Sequence, residues 1–155
     1  MPLLRAALSW NFVLATAICA SLLAQLIKVL LNLFIFHRFI AERMWGAGGM
    51  PSSHSATVCA MVVATGRYCG VNSPLFAIAA VLSIIVMYDA MGVRYETGEQ
   101  AKVLNRMFTE WMDQGFEQFQ LPHGKKLKEM VGHTPIEVLT GAALGIVLGF
   151  AMPMV

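Results

Sequence analysis

The chain has 155 residues, of which 57% are hydrophobic and only 13% are charged. Soluble domains carry about 25% charged residues, so this composition excludes an ordinary soluble protein and predicts a single membrane domain over residues 1–155. The net charge of +2 is too small to predict nucleic-acid binding. Membrane topology and an anionic lipid surface explain the basic residues better.

Four apolar stretches predict four membrane-spanning helices. A spanning helix needs about 20 apolar residues. The first stretch is also longer than the hydrophobic core of a signal peptide, about 7–15 residues, which is the competing interpretation of the N-terminus. Arg67 ends the second stretch, where its long side chain can snorkel to the interface. The spans are expected near residues 10–36, 55–70, 74–93 and 134–155.

The last span repeats a glycine at every fourth position, at Gly141, Gly145 and Gly149. This spacing lets another helix approach closely. We expect that partner to be a helix of the same bundle rather than a second copy of the chain.

Residues 94–132 form the one sizeable polar insertion. Thr97 and Gln100 have the spacing of a capping box, so a helix is expected to begin there. Residues 121–124 predict a turn. Together with the spans, this gives an all-α, polytopic membrane helix bundle with an amphipathic helix in the insertion. The apolar residues at helical spacing are Val103, Leu104, Met107, Phe108, Trp111 and Met112.

The distribution of basic residues predicts the orientation. With four spans, eight lysines and arginines share one side of the membrane, and Arg5 and Arg67 lie on the other. The positive-inside rule makes the first side cytoplasmic. We therefore expect a plasma-membrane or inner-membrane protein with both termini outside. The eight are Arg38, Arg43, Arg94, Lys102, Arg106, Lys125, Lys126 and Lys128.

No metal or cofactor is expected from the spacing of the ligating residues. The three cysteines, Cys19, Cys59 and Cys69, resemble small buried hydrophobic residues rather than a metal site. Metal-assisted hydrolysis stays open as a less favoured alternative, since carboxylates could gather hard-cation ligands. The carboxylates concerned are Asp89, Glu96, Glu99 and Glu137.

Polar residues of the spans converge on the predicted cytoplasmic side. Ionisable groups inside a membrane domain are candidates for function by default. Gln25 and Asp89 are expected to be structural polar residues within the membrane. The converging residues are His54, Asp89, Arg94, His133 and Glu137.

The stretch GGMPSSHSA, residues 48–56, has the chemistry of an anion site. Its glycines permit unusual backbone conformations, and Ser52 or Ser53 can cap the following helix. A helix N-terminus offers free N–H groups and a positive dipole end to a phosphate. His54 would stand beside it as a proton donor or acceptor.

The stretch GHTPIEV, residues 132–138, pairs a histidine with a carboxylate. His133 and Glu137 are four residues apart and share one helix face, so the carboxylate can fix the imidazole tautomer. Pro135 suits a first helical turn. This is the arrangement that a nucleophilic or general-base histidine needs.

Three blocks, GGMPSSHSA, YDAMGVRYETGEQAKVLN and GHTPIEVLTGAALG, together resemble the divergent branch of the type 2 phosphatidic-acid phosphatase superfamily, which also includes vanadium haloperoxidases. The resemblance covers roughly residues 20–152. It implies a metal-independent phosphomonoesterase that works through a phosphohistidine. Its substrate would be a phospholipid or isoprenyl phosphate that reaches the site sideways from the bilayer.

The resemblance also implies roles for individual residues. Residues 51–54, Pro-Ser-Ser-His, would stand for the Pro-Ser-Gly-His motif, with Ser53 and nearby N–H groups binding phosphate. His54 would protonate the leaving alcohol. His133 would be the nucleophile, and Glu137 would replace the aspartate that orients it. Basic side chains would neutralise the phosphoryl oxygens.

The chain departs from the superfamily pattern in its basic residues. Leu127 occupies the place of the arginine in the Ser-Arg pair, so Arg94 is a candidate replacement. The motif of a lysine followed by Arg-Pro is also absent after Lys28. The candidate phosphate ligands are therefore Gly49, Ser52, Ser53, Lys28, Arg94 and Arg43, with Arg38 as a further alternative.

Two functions remain open from the sequence. The first is a membrane phosphatase that cleaves a lipid phosphate or diphosphate ester. The alternative is a non-catalytic membrane protein that binds or moves an anionic lipid or small anion. Four spans are few for a closed phosphate pocket, so the amphipathic segment or a second protomer in a homodimer would complete it.

Overall fold

The computed structural model describes residues 11–36, 49–114, 126–129 and 131–154 of the chain. Within these ranges every regular element is a helix, which confirms the all-α class. The five helices are α1 (Phe12–Phe36), α2 (Ser53–Cys69), α3 (Pro74–Met91), α4 (Val93–Asp113) and α5 (Pro135–Ala151). The four predicted spans coincide with α1, α2, α3 and α5.

Helix α2 lies at the centre of the bundle and contacts α1, α3 and α5. It runs antiparallel to α1, since Ala64 near its end packs against Phe12 near the start of α1. It runs parallel to α5, because Gly141 lies against Ser52 while the later Gly149 lies against Val63. The first turns of α2 and α5 consequently lie at the same end of the bundle.

Small residues form the interior of the bundle. Ala20 and Ala24 of α1 pack against Ala56 and Ala60 of α2, and all four are fully buried. A Cβ atom added at Gly145 would clash with the backbone carbonyl oxygen of Ala56. Backbones that approach this closely are typical of packing between membrane helices. The glycine repeat therefore packs within the bundle, as expected from its spacing.

Large apolar side chains cover the outside of the bundle. In length and composition, Phe12–Phe34 and the stretch that begins at Pro74 can cross a membrane, whereas α5 is shorter. The 17 residues of α2 or α5 extend about 25 Å at 1.5 Å per residue. A small-residue interior with an apolar exterior is the arrangement that lipid requires. Exposed examples include Leu22, Phe34, Ile78, Ile84, Leu139 and Phe150.

The amphipathic helix of the insertion is confirmed, but its predicted start at Thr97 is wrong. Helix α4 begins at Val93, and only Gly92 separates it from α3. The hydroxyl of Thr97 donates to the carbonyl of Val93 inside the helix at 2.7 Å. It cannot cap a terminus there, because the chain is already helical one turn earlier. The predicted turn at 121–124 lies outside the described residues.

Asn105 of α4 holds the segment that leads to α5. Its Nδ2 donates to the carbonyl of Leu127 at 2.9 Å and to Oε1 of Glu129 at 2.8 Å. Its Oδ1 accepts from the N–H of Leu127 at 2.8 Å. Further along, the backbone at Gly132 lies directly against Tyr95, where a Cβ atom would not fit. These contacts fix the approach to His133.

Arg67 closes the opposite end of the bundle. Its Nη1 donates to the carbonyls of Gly149, Phe150 and Met152 at 2.6, 3.1 and 2.8 Å. The guanidinium also lies 5.6 Å from the centre of the Phe12 ring. Arg67 thus binds the C-terminal carbonyls of α5, a contact more specific than the snorkelling that its position predicted.

Candidate active site

The site lies where α1 and α3 end and where α2 and α5 begin. Ser52 is the N-cap of α2, and its hydroxyl accepts from the N–H of Ser55 at 3.3 Å. The N–H of Ser52 donates to the main-chain carbonyl of Glu137 at 2.9 Å. This bond joins the loop before α2 to the first turn of α5. Both hydrogen bonds of Ser52 therefore stabilise the fold.

A capping box begins α5. The hydroxyl of Thr134 accepts from the N–H of Glu137 at 3.4 Å, and the Glu137 carboxylate accepts from the N–H of Thr134 at 3.1 Å. Pro135 follows the cap as expected. The pattern Thr-x-x-Glu was readable in the sequence and would have given this helix start.

His133 is buried, with 1% of its surface exposed, and its backbone N–H donates to the carbonyl of Ala90 at 3.0 Å. Its Nδ1 lies 3.1 Å from Oε2 of Glu137. An ionised carboxylate only accepts hydrogen bonds, so Nδ1 carries the hydrogen and Nε2 of the neutral ring has the free lone pair. Nε2 is buried and has no partner among the described residues.

Glu137 is held by two donors, Nδ1 of His133 and the backbone N–H of Thr134, which fix its carboxylate. The backbone N–H of Gly49 also stabilises the charged carboxylate. Gly49 has a φ of +89°, a conformation that glycine adopts without strain. The glycine-rich loop thus supports the carboxylate that orients His133.

The depth at which the Lys28 side chain is buried is the feature of the site that the sequence predicted least well. Lys28 comes from α1, is 2% exposed, and its Nζ has no hydrogen-bond partner among the described residues. A Cβ atom at Gly49 would lie 3.4 Å from its Cδ, so the stem passes directly beside the loop. Its charge interacts with that of Glu137. Lys28 does not pair with Asp89, whose carboxylate binds Arg94.

His54 stands on the exposed side of the same site. Its ring centre is 5.9 Å from that of His133, with the planes at 64°. His54 is exposed, whereas His133 is not. By helix geometry the N–H groups of Ser53 and His54 have no acceptor within α2. One buried and one accessible imidazole therefore face each other beside free backbone donors.

The remaining candidates surround this centre. Arg94 donates through Nε to Asp89 at 2.6 Å, and both side chains are partly exposed. Their charges act on His54. Gln25 donates to the hydroxyl of Ser53 at 3.4 Å, and its Oε1 is buried without a partner in the described part of the chain. Arg43 and Arg38 lie outside the described residues.

Carboxylates do not gather into a metal site in the described ranges. Asp89 pairs with Arg94, Glu99 with Lys102, and Glu137 with His133. The three cysteines are free thiols. The site thus consists of two imidazole rings, the Lys28 ammonium group and backbone N–H donors around the oriented carboxylate of Glu137.

Comparison with known proteins assigns the chain to a family. A family model described as "Divergent PAP2 family" matches residues 9–148. The chain belongs to this family. This Divergent PAP2 family member is 39% identical over 144 residues to the "Uncharacterized membrane protein YuiD" of Bacillus subtilis (strain 168), across 89% of this chain and 91% of that protein. No solved structure matches the chain.

Membership confirms the resemblance that the three sequence blocks indicated. The chain is a membrane protein, as its apolar helices and its membrane-protein relative both show. Within the Divergent PAP2 family protein, two of those blocks supply the facing histidines, and the third supplies Asp89, Arg94 and Asn105. The contacts that sequence reasoning missed are mostly backbone ones, such as Ala90 to His133.

Proposed function

We propose that this Divergent PAP2 family protein is a membrane phosphatase that hydrolyses a lipid phosphate or diphosphate ester through a phosphohistidine, without a metal. One observation carries the proposal. His133 is buried and oriented by Glu137 through Nδ1, while its Nε2 has no partner among the described residues. An oriented imidazole with a free nitrogen is what a nucleophilic histidine requires.

The surroundings of His133 support binding of an anion. Lys28 brings a buried ammonium group without a hydrogen-bond partner in the described ranges. Holding such a group out of water is costly unless an anion compensates its charge. The free N–H groups at the start of α2 and the Arg94 guanidinium would take further phosphoryl oxygens. Neutralising charge on these oxygens is the main part of phosphoryl-transfer catalysis.

The reaction would proceed in two displacements. Nε2 of His133 attacks phosphorus, the P–O bond to the lipid breaks, and His54 gives its proton to the leaving oxygen. Water then attacks the phosphohistidine, His54 takes a proton from that water, and the P–N bond breaks to release phosphate. The exposure of His54 suits a group that exchanges protons with both the alcohol and water. The Glu137 carboxylate stabilises the charged imidazole throughout.

The site would face the cytoplasm, with both termini outside. Basic residues concentrate at this end of the bundle, and Arg67 lies at the other. In a cysteine-free background, Lys102→Cys should react with a membrane-impermeant maleimide only in inside-out vesicles, and Val71→Cys only in right-side-out vesicles. The reverse pattern would contradict the orientation and leave the chemistry untouched.

The decisive test is phosphate release by the purified protein in detergent with chelator present. The panel contains phosphatidic acid, a polyprenyl phosphate and a polyprenyl diphosphate. We expect turnover by the wild type, and a loss of about 10³-fold or more in His133→Ala, because the covalent step is removed. His54→Ala should also lose most activity, since the leaving oxygen would depart without its proton.

A matched variant separates chemistry from folding. Arg106→Ala removes an exposed residue whose partner, Glu110, lies on the same helix, and it should keep full activity. An acid-labile phosphoprotein should form in the wild type and be absent in His133→Ala. Chelator-sensitive turnover, or vanadate binding without turnover on any member of the panel, would overturn the proposal.

A further inference from the structure

An apolar groove runs along the bundle between the candidate active site and the end closed by Arg67. Helices α1 and α3 both pack against α2, but they do not contact each other. Between them lies a cavity of about 460 Å³, with α2 as its floor. Its lining includes Ala17 of α1, Met61, Thr65 and Tyr68 of α2, and Ala79 and Leu82 of α3.

The groove is aligned with the candidate active site. Met61, Thr65 and Tyr68 come 7, 11 and 14 residues after His54. At 100° per residue, all three lie within about 40° of the direction of His54 on α2. At 1.5 Å per residue, the floor extends from about 10 Å to about 21 Å from His54 along the helix. The same face of α2 therefore carries the histidine at its start and the groove further along.

The dimensions of the groove favour a slender occupant. A helix about 10 Å in diameter would fill about 860 Å³ over the roughly 11 Å length of the floor, nearly twice the volume available. The volume divided by that length gives a mean cross-section of roughly 40 Å², which suits two extended hydrocarbon chains side by side. The groove opens sideways between two membrane helices, where lipid chains are the surrounding solvent.

We propose that this groove binds the two hydrocarbon chains of the lipid whose phosphate group lies at His133. The inference rests on the proposed function and adds a requirement for chain length. Carbon atoms close to the phosphate lie above Met61, and only a longer chain reaches the groove. A long chain adds apolar contact there, while a short-chain lipid phosphate uses the phosphate site alone.

Blocking the groove should discriminate between substrates by chain length. Leu82→Trp fills the groove near its upper end, and the adjacent Val81→Trp adds the same side chain on the lipid-facing side of α3, where Val81 is 56% exposed. With dioleoyl phosphatidic acid, we expect kcat/KM to fall about tenfold in Leu82→Trp. With dihexanoyl phosphatidic acid, whose chains end short of Met61, it should stay within about twofold. Val81→Trp should leave both values unchanged.

A binding measurement separates this inference from the proposed function. Phosphatidic acid and phosphatidylcholine, each with a diazirine near the end of one acyl chain, are irradiated with His133→Ala protein in vesicles. We expect excess labelling of the peptide containing Thr65 and Tyr68 by phosphatidic acid, and loss of that excess in Leu82→Trp.

The outcomes are distinct. Equal labelling by both lipids, or equal loss of turnover for both chain lengths in Leu82→Trp, overturns the groove proposal and leaves the phosphatase proposal standing. Absence of turnover with either substrate overturns the phosphatase, and selective labelling would then support a chain-binding groove without hydrolysis. A Tyr68→Cys disulfide dimer that forms in place of labelling would assign the groove to a second copy and overturn the inference.

Discussion

The two ends of the bundle treat buried polar groups in opposite ways. At one end, Arg67 donates to three carbonyls at 2.6 to 3.1 Å and closes the last turn of α5. At the other end, Lys28 Nζ, His133 Nε2 and Gln25 Oε1 are buried and have no partner among the described residues. The first arrangement gives hydrogen-bond donors to the last carbonyls of the chain around α5, and the second leaves three buried polar atoms without a hydrogen bond in the described part of the chain.

This difference teaches which polar groups stabilise the fold. Buried polar groups are nearly always paired, since an unpaired one costs about 1–3 kcal/mol. Several unpaired groups in one place are therefore expected where a ligand completes the pairing. The Arg67 end contributes stability, and under the proposed function the Lys28 end gives up stability for binding.

Among the tests of this comparison, the largest effect should come from the carboxylate that orients His133. Glu137→Gln keeps the capping box, since glutamine also serves at this position. However, the glutamine amide can either donate or accept, so it no longer holds the ring hydrogen of His133 on Nδ1. Being neutral, it also cannot stabilise the charged ring. We expect phosphate release to fall about 10³-fold, equivalent to about 4 kcal/mol. Glu99→Gln, on the exposed side of α4, is the control, and equal losses in both variants would contradict the role of Glu137.

Overpacking the contact between α5 and α2 should lower the stability of the whole bundle. Gly145→Leu introduces a side chain where even a Cβ atom clashes with the carbonyl of Ala56. We expect about 3 kcal/mol of destabilisation, measured by thermal unfolding in detergent. The neighbouring Ala143→Leu points outward and should unfold like the wild type. An unchanged midpoint in Gly145→Leu would show that the helices are not in close contact.

Neutralising one cation at each end tests the comparison directly. Arg67→Met leaves three carbonyls without their donor and should destabilise the protein by about 2 kcal/mol while keeping the activity per folded molecule. Lys28→Met removes an unpaired buried charge and should raise stability by about 1 kcal/mol in phosphate-free buffer, with loss of vanadate binding. Shifts of the same sign in both variants would remove the distinction between the two ends.

The smallest effect is expected at the clamp between α4 and the segment before α5. Asn105→Ala loses three hydrogen bonds to residues 127 and 129 at a buried position. We expect about 1 kcal/mol, seen as faster amide exchange at Leu127 and in the backbone leading to His133. Exchange that is unchanged at Leu127 would show that the other contacts of the segment suffice to hold it.

The sequence was sufficient for the apolar helices and for the contact between His133 and Glu137. Apolar runs located α1, α2, α3 and α5, since the lipid environment leaves few other structures for such stretches. The spacing of His133 and Glu137 predicted their contact, because residues four apart share a helix face. The sequence made Lys28 a candidate phosphate ligand, but the depth of its side chain and its contact with Gly49 depend on the rotation of α1.

Long-range backbone contacts could not be predicted. The bond from Ser52 to the carbonyl of Glu137 and that from His133 to Ala90 involve no side chain, so no residue type signals them. The start of α4 was misplaced because Thr97 and Gln100 have the spacing of a capping box although both lie inside the helix. The function of Asn105 was also missed, since a single asparagine in an amphipathic helix carries no spacing signal.

Glu137 accepts hydrogen bonds at two places: its carboxylate accepts from His133, and its main-chain carbonyl oxygen accepts from Ser52. Both bonds belong to the first turn of α5, so they depend on the same turn of helix. A change that unwinds this turn would release the loop before α2 and remove the carboxylate from His133 at the same time.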